Sequence, residues 1–163
     1  MIPLEQLNRL RETDAAAELL SCCGSTAWAR RMAAARPFES AEEAADAADR
    51  IWRSLSGEDW LEAFAAHPRI GEKGTGSFSA KEQAGVRGAS PETLANLADA
   101  NRDYEERFGH IFIVCASGRN AAEMLALLEA RLGNDPGREL EIAAEEQRKI
   151  TRLRLAKLFG GAA

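Results

Sequence analysis

The sequence predicts an all-α fold: a single-domain, multi-helix bundle of about eight to nine helices with one extended apolar segment near 111–116. Three observations carry that prediction. Alanine, leucine, glutamate and arginine dominate while valine and threonine are scarce, a composition of good helix formers. Apolar residues recur three and four positions apart, and the breaks between the periodic stretches have the chemistry of helix caps. At 163 residues the chain fits one domain, 1–163, able to bury roughly two-thirds of its unfolded surface without a staple.

The elements follow in order. Pro3 opens a first helix with Leu4, Leu7 and Leu10 on one side, and a second runs from about Asp14 to Leu20, ending by Gly24. Ser25 starts a third, carrying Trp28 and Met32, that stops at Arg36-Pro37 because proline disfavours helical geometry in the residue before it. Ser40 with Glu43 reads as a capping box for a long helix through Ala44, Ala48, Ile51 and Leu55. Ser56 with Asp59 is a weaker version, opening a helix with Trp60, Leu61 and Phe64 that delivers His67 at its end, before Pro68. Ser90-Pro91 caps a helix bearing Leu94, Leu97, Asn101, Tyr104 and Phe108, closed by Gly109.

His110-Ile111-Phe112-Ile113-Val114-Cys115-Ala116 then reads as extended. No second run of this kind exists to pair with it, so its backbone groups need other partners if buried, and a ligand with amide-like groups is one source. Asn120 with Glu123 caps a helix of Leu125, Leu128 and Leu132 that ends at Gly133. Asp135-Pro136 opens the last helix, to about Phe159, with Leu140, Ala143, Ala144, Ile150, Arg154 and Leu158 on one face.

Bulk properties exclude several functions. A net charge of -5, with cationic residues interleaved among acidic ones, gives no basic face for nucleic acid. No apolar run approaches the ~20 residues of a membrane span, and no secretory leader is expected. Cys22, Cys23 and Cys115 make no CxxC pair and no even disulfide framework, which suits a reducing cytoplasm. Two histidines and scattered cysteines give no zinc spacing, and the Gly71–Gly76 loop is not GxxxxGK(S/T) and follows no predicted strand, so a nucleotide phosphate cradle is not expected.

The chemistry concentrates at His67, one of only two histidines, and at Glu82, on either side of a glycine-rich loop. His67 reads either as a helix-end residue bonding the last carbonyls or as a proton donor at a helix C-terminus. Ser79-Ala80-Lys81-Glu82-Gln83 reads as a capping box or as a ligand site built on free helix N–H groups, and both can hold at once. Arg154 faces the core, where a guanidinium needs a carboxylate, carbonyl or ligand unless it snorkels outward. His110 reads as a turn residue, Cys115 as a small core residue, and Trp28, Trp52 and Trp60 as core.

His67-Pro68-Arg69-Ile70-Gly71, Ser79-x-x-Glu82-Gln83-x-Gly85, Asn101-x-x-Tyr104-x-x-x-Phe108-Gly109, Phe112-Ile113-Val114-Cys115-Ala116 and Leu153-Arg154-Leu155 resemble the 2-oxo-4-hydroxy-4-carboxy-5-ureidoimidazoline (OHCU) decarboxylase family in order and spacing. The resemblance spans essentially the whole chain. It implies an all-helical, homodimeric, cofactor-free enzyme that converts OHCU to (S)-allantoin, the last step of urate degradation. It also implies His67 as proton donor. Substrate contacts then fall to Pro68, to Ser79, Ala80, Lys81 and Gln83, to the backbone of Phe112, Ile113, Val114, Cys115 and Ala116, and to Arg154.

The reaction chemistry adds a catalytic role for Glu82 at the substrate 4-hydroxyl, and leaves Arg69 without an assigned one. The chain ends Gly161-Ala162-Ala163, without the peroxisomal tripeptide of eukaryotic relatives, and its length leaves no room for a fused hydroxyisourate hydrolase. Two alternatives stand beside this reading. One is a different lyase or hydrolase of ureido or cyclic-amide compounds using the same residues. The other is a non-catalytic helical interaction module.

Overall fold

The computed structural model describes residues 1–70 and 84–161. Among the described residues it is all-helical, with α1 Leu4–Arg9, α2 Glu12–Leu19, α3 Thr26–Ala35, α4 Ala41–Arg53, α5 Gly57–Ala65, a 3₁₀ turn at Ala84–Val86, α6 Pro91–Phe108, α7 Ala121–Arg131 and α8 Pro136–Leu158. The expected bundle of helices is present, and 111–116 lies outside every helix, as its composition suggests.

The caps do what their chemistry predicts. Ser25 Oγ accepts from Trp28 N, Ser90 Oγ accepts from Thr93 N with proline opening the helix, and Asn120 with Glu123 forms the complete reciprocal box. Gly109 closes α6 at φ 77°, a left-handed conformation that favours glycine. Ser40 makes only half of its box: Ser40 Oγ takes Glu43 N, but the Glu43 carboxylate reaches one residue further back, to Glu39 N.

Contacts divide the chain into two compact units, one of 1–63 with 147–163 and one of 64–146. In the first, α2 packs on α3 and α3 on α4. Trp28, Met32, Leu7, Leu19, Ala44, Ala48 and Leu155 are buried there. The Trp28 indole donates to Ala48 O at 3.3 Å, and Trp60 donates to Trp52 O at 3.0 Å, so each indole N–H has a carbonyl. Trp60 is only half-buried, and Ile51 is half-buried while Trp52 takes the interior position.

In the second unit α6 packs on α7, and Leu97, Ala100, Tyr104, Phe112, Val114, Ala116, Met124 and Leu128 form one apolar cluster. Gly85, in the 3₁₀ turn, is a close approach: a Cβ there would lie 1.8 Å from Arg119 O. The inward face of α8 differs from expectation by one position at its start, since Glu139 is fully buried while Leu140 is half-buried. No helix of the described residues is long and apolar enough to cross a membrane.

Candidate active site

His67 follows the last turn of α5, with its N–H donating to Phe64 O at 3.1 Å, so the helix ends where Pro68 requires. Both His67 and Pro68 are half-buried. The chain after them is tied down by α6. The Arg69 Nε donates to Glu105 Oε1 at 2.8 Å, and the buried Asn101 donates through Nδ2 to Ile70 O at 3.3 Å. Asn101 and Glu105 stand one helical turn apart, so a single face of α6 sets the course of the backbone that carries His67. Arg69 thereby acquires a local role in the structure.

Tyr104, on the same face, serves the other candidate region. Its hydroxyl donates to Glu139 Oε1 at 2.6 Å, and the Arg131 Nε donates to the same oxygen at 2.7 Å. Arg131 Nη2 lies 2.5 Å from that oxygen without a directed hydrogen bond, adding charge attraction only. Asn134 Nδ2 donates to Glu139 Oε2 at 3.0 Å, and Arg131 Nη1 donates to Ile113 O at 2.8 Å. Burial, and next the bond to Glu139, push the Tyr104 hydroxyl well above the usual tyrosine range, so it remains a donor throughout the physiological range.

The extended run 111–116 therefore has side-chain partners where the sequence suggested a ligand. Besides Arg131 at Ile113 O, the Glu146 carboxylate accepts from Cys115 N at 3.3 Å, and Arg119 Nε donates to Cys115 O at 3.2 Å. Phe112, Ile113, Val114 and Ala116 are buried while Cys115 is half-buried, less interior than its sequence context suggests. His110 is more than a turn residue: its ring sits 5.3 Å from that of Phe64 and 5.6 Å from that of Tyr104.

Arg154 lies in the first unit, on α8, and is only 8% exposed, so it does not snorkel to solvent. Beside it is Cys23, whose thiol burial pushes up to about 12, with Thr151 and the Arg154 charge working against that rise. Ser79, Ala80, Lys81, Glu82 and Gln83 lie outside the described residues. Of the expected site residues, the second unit thus holds His67, Pro68 and Phe112–Ala116, and organises both groups from α6.

Sequence reasoning missed Arg131 and Glu139. The signal was present: Ala121, Met124, Leu128 and Arg131 share one buried stripe of α7, and Glu139, Ala143, Glu146 and Ile150 share one of α8.

These features define a class, an all-helical domain that presents a helix-end histidine and an extended backbone braced by side chains in place of a sheet. The chain belongs to the OHCU decarboxylase family, whose model matches residues 8–156. It is 44% identical over 146 residues to the uric acid degradation bifunctional protein TTL of Arabidopsis thaliana, a match covering 85% of this chain and 45% of that protein. Over 97% of its length it is 30% identical to the 2-oxo-4-hydroxy-4-carboxy-5-ureidoimidazoline decarboxylase of Haloferax volcanii, 96% of which is covered. A crystal structure of OHCU decarboxylase in the presence of (S)-allantoin superposes with a TM-score of 0.78 at 48% identity, covering 87% of this chain and 96% of that one. The chain spans less than half of the Arabidopsis protein and nearly all of the Haloferax one.

Proposed function

We propose that this protein catalyses the cofactor-free decarboxylation of OHCU to (S)-allantoin, as a carboxy-lyase of urate degradation. The observation that carries the reading is the family match over 8–156, joined to 48% identity with an OHCU decarboxylase crystallised in the presence of (S)-allantoin. The braced residues around His67 and Phe112–Ala116 support it, because they hold a proton-transfer group and a row of backbone amides in fixed positions.

The substrate supplies its own electron sink. When the C–CO2 bond breaks, its electron pair forms a double bond to the ureido-bearing carbon, and the ring C=N pair moves onto nitrogen, which takes a proton. An enol remains. Its hydroxyl then loses a proton to become the carbonyl, while the double-bond pair accepts a proton at the ureido-bearing carbon and creates the stereocentre. Glu82 accepts the hydroxyl proton and His67 delivers one proton to a single face. Arg154 clamps an anionic or carbonyl oxygen with its planar fork. Pro68, Ser79, Ala80, Lys81, Gln83 and the backbone from Phe112 to Ala116 read the ring and ureido groups. The same reading includes a homodimer in a reducing cytosol, where Cys22, Cys23 and Cys115 remain thiols.

The test is chirality. Circular dichroism of allantoin formed from OHCU freshly made from urate should show one hand in the presence of the protein, because spontaneous decay gives the racemate. A racemic product at the uncatalysed rate would contradict the proposal.

A further inference from the structure

We propose that Tyr104, Glu139 and Arg131 form a positioning device that holds the backbone of Phe112–Ala116 in its extended form, so that affinity for OHCU depends on side chains with no assigned contact to it. The inference rests on the reading above that this backbone meets the substrate. The chain of contacts is continuous. Ile113 O receives Arg131 Nη1 at 2.8 Å, and the guanidinium carbon lies 4.5 Å from the Phe112 ring centroid, so two successive residues of the run are tied to one planar group. The orientation of that plane is fixed by Glu139, and Glu139 is fixed on one oxygen by Tyr104 at 2.6 Å and on the other by Asn134 at 3.0 Å.

Each helix of this unit contributes one member: Tyr104 from α6, Arg131 from α7 and Glu139 from α8. The purpose is better described as geometry than as stability. A buried ion pair is often no more stabilising than apolar residues of the same volume, whereas it penalises any displacement that leaves a charge unpaired. Here the displacement penalised is that of a backbone carbonyl in a run that has no neighbouring strand among the described residues to hold it. Tyr104 is also the point at which α6, whose Asn101 and Glu105 hold the residues after His67, sets the spacing of that run.

Tyr104→Phe keeps the ring and removes only the hydroxyl. In the full-length protein, hydrogen–deuterium exchange at the amides of 112–116 should rise roughly tenfold, the factor for one lost hydrogen bond of about 1.4 kcal/mol, while α3 and α4 exchange as before. With OHCU, KM should rise by a similar factor and kcat should stay within about twofold. A merely structural role would raise exchange throughout the unit and leave KM per folded molecule unchanged. Unchanged exchange at 112–116, or faster exchange with unaltered KM, overturns the proposal. Should Tyr104→Phe fail to fold, Asn134→Ala removes the other support of Glu139 and is held to the same two readouts, with the same results required. Absence of turnover by the wild-type protein would overturn the functional reading instead, and the exchange comparison alone then decides whether the device holds the segment.

Discussion

Two arginines, Arg131 in one unit and Arg152 in the other, show two different uses of charge in this molecule. Arg131 is 8% exposed and is locked to Glu139 and Ile113 O inside the apolar cluster of α6 and α7. Arg152 stands on the outward side of α8 and fans across Asp49, Asp46 and Glu42 of α4, with its side chain about a third exposed. The first arrangement is costly to bury and fixes a backbone; the second is screened by water and fixes little. The unit of 1–63 with 147–163 is packed mainly with tryptophan, leucine and alanine, although Ser25, Gln147, Thr151 and Arg154 are buried there as well. The unit of 64–146 spends part of its interior on polar groups that determine where the 111–116 run lies.

The largest way to break that contrast is Arg131→Met. It fills much of the same volume but leaves the buried Glu139 carboxylate without its countercharge, with only the neutral donors Tyr104 and Asn134, and should cost about 3–5 kcal/mol in urea unfolding. A loss below about 1 kcal/mol would show that the carboxylate is not held by the guanidinium.

Alkaline pH sharpens the comparison from the other unit. Cys23 loses its proton near pH 9 when unfolded but holds it to about 12 when folded. Its contribution is therefore complete below pH 9 and is lost between pH 9 and 12, at about 1.4 kcal/mol per pH unit. Tyr104 shifts in the same direction, through burial and its bond to Glu139. Cys23→Ala should flatten the alkaline limb of a stability-versus-pH curve without removing it. An unchanged limb would mean that the thiol does not carry the effect.

Arg152→Ala is the smallest perturbation. It should cost no more than about 1 kcal/mol, and that difference should shrink in high salt because two of the three carboxylates it faces, Glu42 and Asp46, are largely in water.

Most of the helix plan was legible because caps are local chemistry. Ser25, Ser90-Pro91, Asn120 with Glu123, and Gly109 each satisfy or terminate backbone groups within four residues, and all four appear as read. The extended run was legible for the same reason, being β-branched and without a second run to pair with. Its partners were not. Glu139 and Arg131 carry the chemistry of surface residues, and only three-dimensional pairing makes them interior. The face of α8 formed by Leu140, Ala143, Ala144, Ile150, Arg154 and Leu158 puts Leu140 inward and leaves out Glu139, the neighbouring position that the fold buries. Exposed Leu61 and Leu94 illustrate the converse, since apolar side chains on a helix need not reach a core. His67 was found from its rarity and from Pro68; Asn101 and Glu105, which hold the backbone beyond it, are visible only once α6 is placed beside that backbone.

The central claim is that His67, set at the end of α5 by Phe64 O and Pro68, transfers a proton during turnover of OHCU. The most direct measurement is kcat/KM for His67→Asn against wild type, followed by circular dichroism with freshly prepared OHCU. The account predicts a loss on the order of 10²–10⁴-fold, the usual contribution of a positioned acid–base group, with the fold unchanged. Near-normal turnover yielding (S)-allantoin from the His67→Asn protein would contradict it.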